Sequence, residues 1–208
     1  LYHINAVDCV TQWEVVASVQ TISEVHLLPV IEHMLAQFPF EILGFHADNG
    51  SECVNRRVAE MLEKLRAEFT RSRPRRSNDN GLAETKNGAV VRKVFGYAHI
   101  PQRHAKRFNT FCLEFLNPFL NFHRPCLFAT DVADPKKPGR IKRVYRPQDA
   151  MTPLDKLASL PKAQTFLREG VTLQELHLLA RALTDIQAAE ELNEARNDLF
   201  RRVPPMTG

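Results

Sequence analysis

Hydrophobic and polar positions alternate over the first nineteen residues. Tyr2, Ile4 and Ala6 interleave with His3, Asn5 and Val7, and after a turn over residues 9–12 the pattern resumes with Trp13, Val15, Ala17 and Val19. A period of two marks half-buried strands, so residues 1–19 predict a β-hairpin. Thr21-Ile22-Ser23-Glu24 then has the spacing of a capping box. Leu27, Ile31, Met34, Leu35 and Phe38 give the following helix an apolar stripe. Pro29 should kink that helix or mark a later start. Residues 42–45 are continuously apolar, as in a central strand covered on both faces.

The period then returns to that of a helix. Val54, Val58, Met61, Leu62 and Leu65 predict one, residues 67–70 a strand, and an Arg-rich loop leads to a helix carrying Glu84, Val91, Val94 and Phe95. The order β-β-α-β-α-β implies a mixed α/β sheet with helices on its faces. Beyond residue 100, Phe108, Phe111, Phe115 and Phe119 recur at helical spacing. They suit packing onto the core, and a base-stacking surface is the alternative. Residues 129–150, rich in Pro, Lys and Arg, read as an extended basic connector. From Pro161 onward, Leu173, Leu176, Leu179 and Leu183, then Ala188, Ala189, Leu192, Ala195 and Leu199, predict a helical hairpin for packing or assembly. The expected division is a core over 1–100, a core-packing helix over 101–128, a basic connector over 129–160 and a helical segment over 161–208.

Composition adds a partner to this outline. The 208 residues are 44% hydrophobic, enough to bury a core, and Lys and Arg exceed Asp and Glu by 28 to 24. The excess is small but clustered. Arg71, Arg73, Arg75 and Arg76 crowd one loop, and Lys136, Lys137, Arg140, Lys142, Arg143 and Arg146 crowd another. Such clusters suit a phosphate backbone, and each taken alone also suits a solvated loop. Cys9, Cys53, Cys112 and Cys126 form no CxxC and no zinc spacing, and are expected to be reduced, mostly core thiols. No apolar run approaches the roughly 18 residues of a membrane span, and none resembles a signal peptide.

Two carboxylates carry the candidate chemistry. Asp48 lies in Phe45-His46-Ala47-Asp48-Asn49-Gly50-Ser51-Glu52, where the apolar strand breaks into a polar turn. Glu84 lies in Asn80-Gly81-Leu82-Ala83-Glu84-Thr85-Lys86-Asn87, where a loop becomes a helix, and 35 residues lie between the two acids. Asp48 should emerge at the carboxyl edge of the sheet, where open α/β sheets bind ligands. Singly, Asp48 also fits a turn or N-cap, and Glu84 an acid in a helix's first turn. A pair so placed can hold divalent ions for phosphoryl transfer on DNA.

Together these motifs resemble the integrase core of insertion-sequence transposases and retroviral-type integrases, from Leu1 to about Tyr97 with a continuation to about residue 160. The resemblance implies an RNase H-like mixed sheet and an Asp, Asp, Glu triad binding two Mg²⁺ or Mn²⁺ ions. Asp48 matches the second Asp and Glu84 the Glu. Asn87 matches a polar position facing the site. Gly88 stands where retroviral integrases have a Lys, a DNA contact that Lys86 or Arg92 could supply instead. Asp8 is the candidate for the first Asp within the chain, but it falls where the family has a hairpin turn. The first, central strand with its Asp is therefore expected upstream of Leu1, in a chain that is N-terminally incomplete. The implied function is metal-dependent DNA nicking and strand transfer by a cytoplasmic, nucleoid-associated homo-oligomer. Two other readings compete. One is a non-catalytic module that binds DNA or a transposase partner, and the other is an RNase H-like hydrolase such as a junction resolvase.

Overall fold

A computed structural model describes residues 1–47, 68–71, 81–134 and 139–203. The chain opens with strands β1 (Tyr2–Val7) and β2 (Glu14–Val19), paired antiparallel with Tyr2 opposite Val19 and Val7 opposite Glu14. This is the hairpin that the alternation predicts. Its turn is built around Asp8, whose Oδ2 accepts from the Val10 and Thr11 amides at 3.1 and 2.6 Å and from the Thr11 hydroxyl at 2.7 Å. Gln12 closes the turn in the left-handed region, at φ 58°.

Helix α1 (Glu24–Leu35) follows. Its N-cap is Ser23, which makes no side-chain cap bond, so the expected capping box at Thr21 does not form. The helix continues through Pro29. Leu27, Ile31, Met34, Leu35 and Phe38 are all buried, as their spacing predicts. Strand β3 (Gly44–Ala47) begins later than the apolar run, and Leu43 is 73% exposed, so the expectation of a run covered on both faces is not met here. β3 pairs in parallel with β4 (Glu68–Arg71). The helix expected over residues 54–65 lies outside the described residues.

Helix α2 (Gly81–Lys86) runs through a π-helical stretch, Asn87–Val91, into α3 (Arg92–Phe95). Helix α4 (Ala105–Phe111) is likewise extended by π-helical stretches at Cys112–Leu116 and Phe119–His123. Strands β5 (Cys126–Ala133) and β6 (Ile141–Met151) form an antiparallel pair. The basic segment is thus extended as expected, but folded back into a ribbon. Helices α5 (Pro153–Ala158), α6 (Leu173–Ala180) and α7 (Asp185–Arg202) complete the chain. Thr172 and Thr184 cap the last two with full capping boxes.

Among the described residues the architecture is mixed α/β, with the strands in three two-stranded sheets. The β1–β2 hairpin is the middle layer. Val15, Ala17 and Val19 face a core shared with α1, Trp13, Phe38, Phe40, Leu154, Leu157 and Leu176. Val16 faces a second core made by Val90, Val91, Phe95, Phe108, Phe111, Leu116, Leu192 and Leu199. Large apolar side chains such as Phe108, fully buried, are worth about 1.5–3 kcal/mol each on removal from water. Arg168 ties the carboxyl-terminal region back onto the end of α1, donating to the Leu35, Ala36 and Phe40 carbonyls at 2.7–3.3 Å.

The outer edge of β2 is closed without a strand. Asn109, Asn117 and Asn121 each turn a side-chain amide toward it. Asn121 accepts from the Glu14 amide and donates to its carbonyl, both at 2.8 Å. Asn117 does the same for Val16 at 2.9 and 3.2 Å, and Asn109 for Ser18 at 2.6 and 2.9 Å. A primary amide offers the same donor and acceptor as a peptide group, so three side chains satisfy the backbone of a whole strand edge.

Candidate functional site

The expected site residues divide by where the structure puts them. Asp48 and Arg73, Arg75, Arg76, Lys136 and Lys137 lie outside the described residues. Ala47, in β3, is the residue before Asp48 in the sequence, and Arg71 belongs to β4. Glu84 lies in α2 with its side chain exposed. That helix starts against β1, where the Asn5 side-chain amide donates to the Ala83 carbonyl at 3.4 Å. Thr85, also exposed, donates back to the Gly81 carbonyl at 2.7 Å.

Lys86 is turned the other way. It is 6% exposed, with Nζ 3.6 Å from Glu14 Oε2 and 3.0 Å from Cys126 Sγ. A lysine two residues after Glu84 falls on a different face of a helix with 3.6 residues per turn. Buried against a carboxylate, it is withdrawn from the DNA contact expected of it. Asn87 is half-buried, while Arg92 is exposed, its guanidinium 5.9 Å from the Tyr97 ring. Asp8, the candidate first acid, spends one oxygen on three hydrogen bonds within its own turn. This is a turn-building role.

Glu14 is the group that sequence reading missed. It sits in the middle layer at 1% exposure, its carboxylate facing the Lys86 ammonium at 3.6 Å and the Asn5 amide. Burial raises its pKa, opposed by the nearby charges of Lys86 and Arg124. Its place in an apolar run, between Trp13 and Val15, was the one signal of it in the sequence. Cys112 and Cys126 are buried, and burial pushes the Cys112 thiol upward. Cys9, by contrast, is exposed.

The described donors do not by themselves fit a two-ion centre. Among the described residues, no group of three or more His, Cys, Asp or Glu could hold a metal ion. Glu84 offers a single carboxylate, and Asp48 lies outside the described residues. Arg140, Lys142, Arg143 and Arg146 are exposed on or beside β6. No helix among the described residues is long and apolar enough to cross a membrane.

Comparison with known proteins finds a partial match. The chain is 34% identical over 93 residues to the uncharacterized protein y4rM of Sinorhizobium fredii (strain NBRC 101917 / NGR234). The match takes in 45% of this chain and 27% of the relative, so the chain spans about a quarter of that protein. No family model matches, and no solved structure does.

Proposed function

We propose that this chain is part of a DDE-type transposase or integrase, which nicks DNA and joins a 3′ end to a target strand in a metal-dependent reaction. The observation that carries the reading is the paired motif. Asp48 comes next in the sequence after Ala47 of β3, and Glu84, separated from it by 35 residues, stands solvent-exposed in a helix. The RNase H-like arrangement belongs to the same proposal. β1–β2 and the parallel β3–β4 pair supply strands of the right order and direction. Bound Mg²⁺ or Mn²⁺ would activate the attacking oxygen and steady the leaving one. Glu84 contributes one negative charge toward holding such ions, and Arg71, Arg92 and the cations of β6 suit the DNA backbone. A homo-oligomer assembled on DNA is part of the reading.

The test is strand transfer by the whole protein on labelled linear element ends with Mg²⁺ or Mn²⁺. Glu84→Gln keeps size and helix propensity, and its side chain is exposed, so it should abolish joined products while leaving the thermal unfolding midpoint unchanged. Retained joining in that variant would sink the assignment. Hydrolysis without joining would instead favour a resolvase-like nuclease. A second reading, a DNA-binding module without catalysis, draws on the exposed cations of β6, and salt-dependent binding without any joined product would support it.

A further inference from the structure

We propose that the β5–β6 ribbon is an arm that enters the major groove of duplex DNA. The inference rests on DNA being the partner, and it holds whether or not the chain cuts. Between Ala129 and Ala133 on one strand and Ile141 and Tyr145 on the other, the ribbon pairs antiparallel, with no third strand among the described residues. Such a pair is marginal in water without a core or a partner to pack on. Here its outer half is mostly exposed, with Val132 and Val144 half-buried. Ile141 is 67% exposed and Tyr145 60%, and nearly every residue along β6 is solvent-facing.

The large and charged side chains are concentrated on β6. Ile141, Arg143 and Tyr145 share one face, and Lys142 and Val144 share the other. Opposite them β5 supplies Ala133, Val132, Asp131, Thr130 and Ala129, mostly small. The ribbon is therefore thin, with cations on both faces and an exposed aromatic beside Arg143 and Arg146. Its acids are already engaged. Asp131 faces Arg143 at 3.8 Å, and Asp149 accepts from the Thr130 hydroxyl at 2.8 Å. Arg140, Lys142 and Arg146 have no acidic partner among the described residues. At its base, Lys156 lies 5.1 Å from the Phe128 ring, placing another cation where the ribbon joins the body.

A polyanion is the complement of this surface, and the geometry selects which one. Two strands lie about 4.8 Å apart, and a two-stranded ribbon fits the roughly 12 Å major groove of B-form DNA. The deep, narrow major groove of A-form RNA excludes it. Lys142 and Arg146 then meet phosphates, while Arg143 and Tyr145 face the base edges.

The experiment uses the full chain and fluorescein-labelled duplexes of mixed sequence, read by anisotropy over a salt series. The parent should prefer DNA to RNA of the same sequence. Combining Lys142→Ala, Arg143→Ala and Arg146→Ala should weaken DNA binding at least tenfold and reduce the salt slope by roughly 2, at about 0.9 for each of the two phosphates no longer neutralised. Tyr145→Ala should weaken binding with little change in slope. All four positions are exposed, so Trp13 fluorescence should show an unchanged fold. Duplex RNA bound as tightly as DNA, or a triple variant with the parental slope, overturns the proposal. Loss of joining in Glu84→Gln and loss of binding in the ribbon variants are separate results.

Discussion

His3 shows how one side chain reports the state of the middle layer. Its ring stacks on Phe95 at 4.2 Å with a 16° tilt, and its Nδ1 lies 2.8 Å from the Ser18 hydroxyl. Burial lowers its pKa to about 4. A histidine depressed in this way binds fewer protons folded than unfolded between about pH 6.5 and pH 4, so its contribution to stability is lost as pH falls through that window. His3→Gln should remove that part of the acid limb. The check is the urea midpoint of parent and variant from pH 7 to pH 4. Parallel curves would show that His3 does not titrate on unfolding.

Between elements, β2 and α2 are joined through Glu14 and Lys86. Removing one member of a buried pair leaves an uncompensated charge and costs about 3–5 kcal/mol, whereas replacing both by apolar groups of similar volume is often neutral. Lys86→Met should therefore be strongly destabilising, and adding Glu14→Leu should restore most of the loss. A carboxyl raised by burial contributes stability that is present below its unfolded pKa and lost as pH rises through the folded one. The Lys86→Met deficit should consequently shrink on acidification, and chemical denaturation of the single and double variants at two pH values measures both effects.

The same elements show what the sequence could reveal. Strands β1 and β2 and the stripe of α1 were legible because each has a buried face at a regular period. The ribbon was not, because with both faces in water its alternation vanishes and Pro, Gly and charge make it look like a linker. Lys86 was misplaced because a charged residue next to a candidate site suggests contact with DNA, and only its helical phase shows that it points inward. Asn109, Asn117 and Asn121 stand eight and four residues apart within the Phe-rich stretch. Their spacing puts them on one face, but nothing local says that the face meets a strand edge. The candidate pair was legible only as a motif, since Glu84 is exposed in α2 while Asp48 lies outside the described residues.

At the scale of the whole molecule, the two cores share one thin layer. Leu199 of α7 is 7% exposed in the second core, whereas Trp13 belongs to the first. Because both cores rest on the same hairpin, they should unfold together. Leu199→Ala should cost about 2–5 kcal/mol. The destabilisation should appear equally in Trp13 fluorescence and in far-ultraviolet circular dichroism. Separated transitions by the two probes would show that the cores are independent.

The amide-lined edge of β2 also limits how the hairpin can associate. Every outward N–H and C=O of Glu14, Val16 and Ser18 is already matched. Any strand that joins this sheet must therefore come along β1. Whatever strand takes that place completes the sheet, because the amide-lined edge stops it from growing the other way.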